Sequence, residues 1–169
     1  MTISFEMCDD APFPERLLGG AYQLAVTLFA PEDERLYSKK VGHEDLFVAV
    51  VPQHPLAGKK SVSLSDLDGL SILLYQDIGF WAGMHRLQTP QTRYLHQQDR
   101  ATFNDIAMHS PYPIFASGYY LSRGQRPAGR IIIPIENPEA HTDYFLVCLA
   151  SEKEKYRDLF ARVDEQTIQ

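Results

Sequence analysis

The chain has 169 residues, of which 44% are hydrophobic and 11% aromatic, enough to pack one ordinary domain or two small lobes. Its 16 Lys and Arg stand against 22 Asp and Glu, and the net charge of -6 repels a nucleic-acid backbone. No apolar stretch approaches the roughly 20 residues needed to cross a bilayer, and the N-terminus lacks a secretory signal pattern. We therefore expect a globular, cytoplasmic chain that does not itself bind DNA or membrane.

The first part of the chain alternates between strand and helix patterns. Apolar and polar residues alternate over 3–8, which predicts a strand with one buried face. Asp10 can cap a short helix that the glycines at 19–20 end. The apolar range 22–30 predicts a strand buried on both faces, as in a mostly parallel sheet covered by helices. The order of elements is therefore strand, helix, strand.

A turn-rich segment then joins two apolar runs. A weaker strand near 36–42 leads into a buried strand over 46–51, and the sequence SILLY predicts another strand at 71–75. Between these two strands lie the prolines of PQHPLA and one predicted helical turn over 63–68. We interpret this segment as a crossover between two cores.

The second half of the chain continues the same alternation. Asp77 and Asp99 can each cap a helix, and the range 118–129 predicts an irregular surface excursion. Strands are predicted over 93–97, 114–117, 131–133 and 144–150. Ser151 and Glu154 form a predicted capping box for a final helix with apolar residues at 156, 159, 160 and 163. This is the best-specified helix of the sequence.

Strands that alternate with helices predict an α/β fold with two lobes, each a mostly parallel sheet flanked by helices. We assign residues 1–51 and 144–169 to the first lobe and residues 52–143 to the second. Ligands of such sheets bind beyond the carboxyl ends of the strands, where the topology switches. The expected functional site is therefore the cleft between the lobes.

Several segments, in this order and spacing, resemble the effector-binding domain of LysR-type transcriptional regulators. They are LLGGAYQLAVTL, HPLA, SLSDLDG and YFLVCLASEKEKYRDLF. The resemblance runs from Ile3 to about Val163. It implies a two-lobed fold like that of type II periplasmic binding proteins, a homodimer or higher oligomer, and a small-molecule effector that modulates transcription without catalysis. DNA binding would belong to a winged helix-turn-helix domain that is absent from this chain.

The resemblance also implies that the first lobe is incomplete. The first strand and helix of the family's effector domain would lie upstream of Met1, and the family topology places that strand between two others. Its absence would leave backbone groups unpaired inside a sheet, which is costly. We expect the first lobe to be rearranged, completed by a partner chain, or loosely ordered.

Motifs for catalysis or metal binding are not found in the sequence. The segment at 58–61 resembles a phosphate loop, but Gln53 stands where its first glycine should be. The six histidines show no paired metal spacing, and Ser117 does not lie in GxSxG. Cys8 and Cys148 are expected to be buried, reduced thiols. We therefore expect no metal, no cofactor and no catalytic residue.

The resemblance places four segments on the cleft walls: the loop after the first strand, the crossover, the loop after the strand at 71–75, and the end of the strand at 114–117. The candidate ligand-binding residues are Cys8, Asp9, Asp10, Val51, Pro52, Tyr75, Asp77, Gly79, Phe80, Phe115, Ala116 and Ser117. Free amides at the helix starts 79–81 and 100–102 suit a small anion. Tyr75, Phe80 and Trp81 are either partners for an aromatic ligand or part of the core.

Two alternatives remain open. The same cleft could serve a small cytoplasmic α/β enzyme, with Asp9, Asp10 or Asp77 as an acid-base group. The chain could also be a dimerisation module that binds no ligand. Helix capping is the simpler explanation for Asp10.

Overall fold

The computed structural model describes residues 13–76, 81 and 89–163. These residues form two compact units. Unit 2 runs from His43 to Thr142, and unit 1 combines the described residues on either side of it. The division of the chain into lobes at 51/52 and 143/144 stays a prediction.

The described chain contains α-helices, strands and short 3-10 helices. The helices are α1 (Phe13–Leu18), α2 (Arg100–His109), α3 (Gly118–Ser122) and α4 (Arg157–Arg162). The strands are β1 (Ala25–Thr27), β2 (Leu36–Val50), β3 (Ser71–Tyr75), β4 (Arg93–Gln97), β5 (Ile114–Ser117), β6 (Ile131–Pro134) and β7 (His141–Leu149). Short 3-10 helices cover Pro55–Gly58, Leu64–Leu67, Pro138–Ala140 and Ala150–Tyr156. Among these described elements, no helix is long and apolar enough to cross a membrane.

Unit 1 is built on β1, β7 and the first half of β2. β1 pairs antiparallel with β7, and β7 lies beside β2. Helix α1 packs through Leu17 against Leu36 and Val147, while α4 packs through Phe160 against Cys148. Because consecutive residues of a strand point to opposite faces, Val147 and Cys148 place these two helices on opposite faces of the sheet.

The strand predicted over 22–30 is shorter and more exposed than expected. Only Ala25–Thr27 form β1, where Val26 is 60% exposed, and Phe29 beyond the strand is 59% exposed. The expectation of burial on both faces is therefore wrong. Within the described residues, only the face of β1 that carries Ala25 and Thr27 packs on the core.

β2 is one continuous strand of 15 residues, where the sequence predicted two. No proline interrupts it, and Gly42 within it is buried. The strand instead changes neighbours: its first half lies beside β7, and the half from His43 onward pairs with β5 and β6.

Unit 2 contains a five-stranded mixed sheet in the order β6-β2-β5-β3-β4. β3 is parallel to β4 and β5, whereas β2 is antiparallel to β5 and β6. The α/β class is confirmed, but the sheet is mixed because β2 enters unit 2 against the direction of the other strands. β3, β4 and β5 therefore end together at one edge, at Tyr75, Gln97 and Ser117. We call this the carboxyl edge.

The turn predicted over 63–68 forms a 3-10 helix, Leu64–Leu67. The Asp66 carboxylate accepts a hydrogen bond from the Ser63 backbone N–H at 2.9 Å and binds Lys59 at 2.6 Å. These contacts hold the pKa of Asp66 below its usual value, first through Lys59 and then through Ser63. Contacts between nearby residues therefore fix the turn that leads into β3, and this turn lies where the sequence predicted it.

The final helix differs from its prediction. The chain first forms a 3-10 helix over Ala150–Tyr156 and becomes α-helical only at Arg157. Ser151 lies inside the 3-10 helix, so it cannot cap the start of the helix with Glu154 as predicted. Phe160 is buried as expected, whereas Leu159 is 39% exposed.

Candidate functional site

The carboxyl edge of unit 2 brings an arginine among aromatic rings. The guanidinium carbon of Arg100 lies 4.7 Å from the ring centroid of Tyr75, 6.0 Å from that of Phe103 and 6.0 Å from that of Tyr120. Tyr75 and Phe103 contact each other edge to face, with 5.7 Å between centroids. A cation over aromatic faces is attracted by their negative potential, so the rings orient the Arg100 side chain.

The elements of unit 2 explain why these residues meet. Tyr75 ends β3, Arg100 begins α2 just after β4, and Tyr120 lies in α3 just after β5. Parallel strands deliver the segments that follow them to the same edge of the sheet. Phe103 is buried in the core beneath, while Tyr120 is 45% exposed. The cluster therefore has a fixed base and an open side.

The Arg100 guanidinium is exposed, and within the described ranges it makes no ion pair or hydrogen bond with another side chain or carbonyl. A guanidinium offers five N–H donors in a planar fork that matches a carboxylate or phosphate. The arrangement suits a small anion.

The amide end of α2 is less available than the sequence suggested. The Asp99 carboxylate accepts a hydrogen bond from the Thr102 N–H at 2.6 Å, and this bond lowers the pKa of Asp99. Asp99 thus caps the helix as predicted. The expectation of a free amide at Thr102 is wrong, because the Thr102 N–H is already bonded to Asp99. Positive charge at this edge comes from the Arg100 side chain instead.

A carboxylate lies beside the end of β5. The hydroxyl of Ser117 donates a hydrogen bond to Glu44, which lies on β2. Gly118 follows at once and packs closely on β2, since an added Cβ would lie 3.2 Å from the Asp45 carbonyl oxygen. This end of the edge is therefore acidic, whereas the Arg100 end is basic.

Of the predicted site residues, Tyr75 and Ser117 lie at the carboxyl edge. Ala116 is buried against the core cluster that contains Phe103, and Phe115 packs on the cluster of the opposite face. Both are primarily core residues of β5, and a role in ligand binding stays a prediction for them.

The crossover residues Val51 and Pro52 lie elsewhere in unit 2. Ser117 stands opposite Leu46 in the antiparallel β2–β5 pair. Val51 comes five positions after Leu46, about 16 Å along an extended chain. Val51 and Pro52 therefore flank the edge where β5 begins, and the sheet does not bring them to Tyr75.

Other predictions concern residues that the structure leaves undescribed. The candidates Cys8, Asp9, Asp10, Asp77, Gly79 and Phe80 lie outside the described residues. Trp81 is described, and its side chain is 5% exposed within the core cluster of Val48 and Ile72. Of the two open readings for Trp81, the core one is confirmed.

Sequence reasoning missed Arg100, Tyr120 and Glu44. From the sequence, Arg100 is expected to contribute only its backbone amide, and the range 118–129 only a surface excursion. The available signal was an arginine directly after a predicted cap, at the end of a predicted strand. Glu44 carries no such signal, because its position depends on how β2 pairs with β5. Tyr120 lies in a range without helical or strand periodicity, and its place follows from the parallel pairing of β5 with β3.

The described residues offer no group of three His, Cys, Asp or Glu that could hold a metal ion. Cys148 is a free, buried thiol as predicted. Burial raises its pKa, and the nearby Glu152 raises it further. This thiol therefore contributes packing rather than reactivity.

Comparisons with solved structures identify the fold. The chain is 12% identical to the regulatory domain of MetR, a LysR family regulator from N. meningitidis, with a TM-score of 0.65 over 94% of this chain and 76% of that one. It is 18% identical to the effector binding domain of a BenM variant, with a TM-score of 0.61 over 89% and 73%. It is 16% identical to full-length CbnR in complex with its target DNA, with a TM-score of 0.56 over 88% and 54%.

The chain thus spans about half the length of that full-length regulator. No curated protein sequence matches it significantly. The family profile of the LysR substrate binding domain, however, matches residues 1–166. The chain belongs to the LysR substrate binding domain family, and it is a ligand-sensing regulatory domain with the two-lobed fold of type II periplasmic binding proteins.

Proposed function

We propose that this domain senses a small anionic ligand with a planar, aromatic part, and that Arg100 binds its negative group at the carboxyl edge of unit 2. The observation that carries the proposal is the exposed Arg100 guanidinium, held over the rings of Tyr75 and Tyr120 and paired with no carboxylate among the described residues. Tyr75 and Ser117 keep the ligand-contacting role that the sequence predicted for them.

The chemistry of the cluster favours such a ligand. A guanidinium binds a carboxylate through two parallel charge-assisted hydrogen bonds, each worth about 1.5–3 kcal/mol. The tyrosine rings restrict the arginine before binding, so less conformational entropy is lost when the ligand arrives. Tyr120 is partly exposed and can stack on a flat ligand.

The ligand acts by shifting a conformational equilibrium, which requires different affinities for the two arrangements of the regulator. We propose that the domain catalyses no reaction and works in the cytoplasm as a homodimer or higher oligomer. DNA contacts are assigned to a separate domain, which agrees with the net charge of -6.

Calorimetric titration of the whole chain tests the proposal. Benzoate and salicylate serve as planar anions, benzamide as a neutral analogue, and acetate as an anion without a ring. The variant is Arg100→Gln, and the control is Arg93→Gln at the opposite end of β4, where the side chain is exposed.

We expect binding of at least one aromatic carboxylate, and a loss of about tenfold or more in affinity in Arg100→Gln, as removal of a charge-assisted hydrogen bond predicts. Arg93→Gln should bind like the wild type. Equal binding of benzamide, or undiminished affinity in Arg100→Gln, would refute the role of Arg100.

A further inference from the structure

Unit 2 carries a groove of about 500 Å³ beside α3. Its walls include Glu44, Asp45, Phe47, Leu121, Arg126 and Ile132. Tyr75, Arg100 and Tyr120 do not line it. The groove adjoins the acidic end of the carboxyl edge through Glu44, which is hydrogen-bonded to Ser117, but it does not include the Arg100 cluster.

The floor of the groove is apolar and fixed. Phe47, Leu121 and Ile132 are half-buried and pack on the core cluster that contains Phe103. Gly118 also lines the groove and brings α3 within close reach of β2, where a Cβ would lie 3.2 Å from the Asp45 carbonyl oxygen. A side chain at position 118 would therefore crowd the backbone of β2.

One wall carries two carboxylates held in place by neighbours. Glu44 accepts a hydrogen bond from Ser117. The Asp45 carboxylate lies 2.6 Å from Nδ1 of His141, and its other oxygen lies 3.6 Å from Nε2 of His43. The two imidazole rings are stacked, with 5.4 Å between their centroids. The acidic wall is thus preorganised.

The only arginine of the groove lining supplies the opposite charge. Arg126 is exposed, and in the described part of the chain its guanidinium has no ion pair and no side-chain hydrogen bond. A purely anionic ligand would be repelled by Glu44 and Asp45, and a purely cationic one by Arg126. A ligand that carries both charges can pair with Arg126 and with the carboxylates.

We propose that this groove is a second ligand site and binds a small zwitterion with an apolar side chain, of the α-amino acid class. The carboxylate of the ligand pairs with Arg126, and its ammonium lies toward Glu44 and Asp45. Its apolar side chain covers Leu121 and the rest of the floor. A volume of about 500 Å³ falls in the range of small-molecule sites.

Titration of the whole chain with L-leucine and L-phenylalanine tests this site. Isovalerate keeps the carboxylate of leucine without its ammonium, and isoamylamine keeps the ammonium without the carboxylate. The variant is Arg126→Gln. Its matched control is Arg123→Gln, since Arg123 lies 4.3 Å over the ring of Tyr119 and does not line the groove.

We expect at least one of the two amino acids to bind, and both single-charge analogues to bind about tenfold more weakly or worse. Arg126→Gln should weaken amino-acid binding by a similar factor, whereas Arg123→Gln and Arg100→Gln should leave it unchanged. Absence of binding by both amino acids at millimolar concentration overturns the proposal. So does a loss of binding in Arg100→Gln with none in Arg126→Gln, which would assign the amino acid to the other site.

Discussion

The guanidinium of Arg100 lies over the ring of Tyr75, with 4.7 Å between its carbon and the ring centroid. β3 ends at Tyr75 and α2 begins at Arg100, so the contact joins the ends of two parallel strands. Phe103, one turn along α2, meets the same tyrosine ring edge to face. The buried Phe103 therefore helps to hold the Tyr75 ring, and with it the exposed Arg100 guanidinium, in position.

Replacement of Tyr120 by leucine separates ligand binding from folding. The ring is 45% exposed and lies 6.0 Å from the Arg100 carbon, so its loss removes a cation–π contact worth about 0.5–1 kcal/mol at an exposed site. We expect a several-fold loss of affinity for an aromatic carboxylate, while the free energy of unfolding in urea falls by no more than about 1 kcal/mol. A much larger loss of stability would show that Tyr120 acts mainly in folding instead.

Arg130 holds the end of α2 in place. Its guanidinium donates hydrogen bonds to the carbonyls of Ala107, Ser110, Tyr112 and Ala49 at 2.6 to 3.1 Å. Arg130→Met leaves these acceptors unsatisfied and should lower the free energy of unfolding by about 2–4 kcal/mol. Urea denaturation measures the change. Arg123→Met, at an exposed position, should cost much less, and equal costs for both would contradict this role.

Lys39 anchors the end of α4 in unit 1. Its ammonium donates to the carbonyls of Phe160 at 2.7 Å and Val163 at 3.2 Å, the acceptors that a helix end leaves open. Lys39→Met should destabilise α4 by about 1–2 kcal/mol and increase the rate at which a protease cleaves the segment that follows Tyr156. Lys60→Met is the control at an exposed position. Unchanged cleavage of α4 in Lys39→Met would refute the anchor.

His54 should make folding sensitive to mild acid. Burial lowers its pKa from the usual 6.5, and the positive charge of Arg130 lowers it further. As the pH falls below 6.5, the unfolded chain gains a proton at His54 that the folded chain does not, so stability decreases down to the folded pKa. His54→Asn keeps an acceptor for the Leu56 N–H, which His54 Nδ1 binds at 3.2 Å.

The urea midpoint should therefore fall less in His54→Asn than in the wild type between about pH 7.5 and 5.5. Proton NMR of the imidazole gives the folded pKa directly. A His54 pKa at or above 6.5, or the same pH dependence in the wild type and in His54→Asn, would contradict the conclusion that the folded protein buries His54 in its neutral form.

Many elements of unit 2 could be predicted from the sequence, because the residue patterns that specify them are local. The strands at 71–75 and 114–117 follow from apolar runs between turns, the strand at 93–97 lies between a proline turn and the next cap, and Asp99 is that cap by its position. The direction of β2 could not be predicted, since it depends on pairing with β5 far along the chain. The mixed sheet follows from that single strand.

The candidate site was only partly predictable for the same reason. Tyr75 and Ser117 end predicted strands, so their shared edge follows from parallel pairing. Val51 ends a predicted strand and directly follows β2, but β2 runs the opposite way and places Val51 at the other edge. The side chain of Arg100 belongs to the candidate site because β3 places the ring of Tyr75 beneath it. This contact joins two distant parts of the chain, so the sequence around Arg100 does not predict it.

Chemical-shift mapping with an aromatic carboxylate that binds in the calorimetric titration tests the central claim most directly. In an isotope-labelled sample of the whole chain, we predict that the largest amide shifts fall at the carboxyl edge, on Tyr75, Arg100, Ser117 and Tyr120. The shifts should vanish in Arg100→Gln at the same ligand concentration. Shifts that centre on Val51 at the opposite edge, or that persist in Arg100→Gln, would contradict the account.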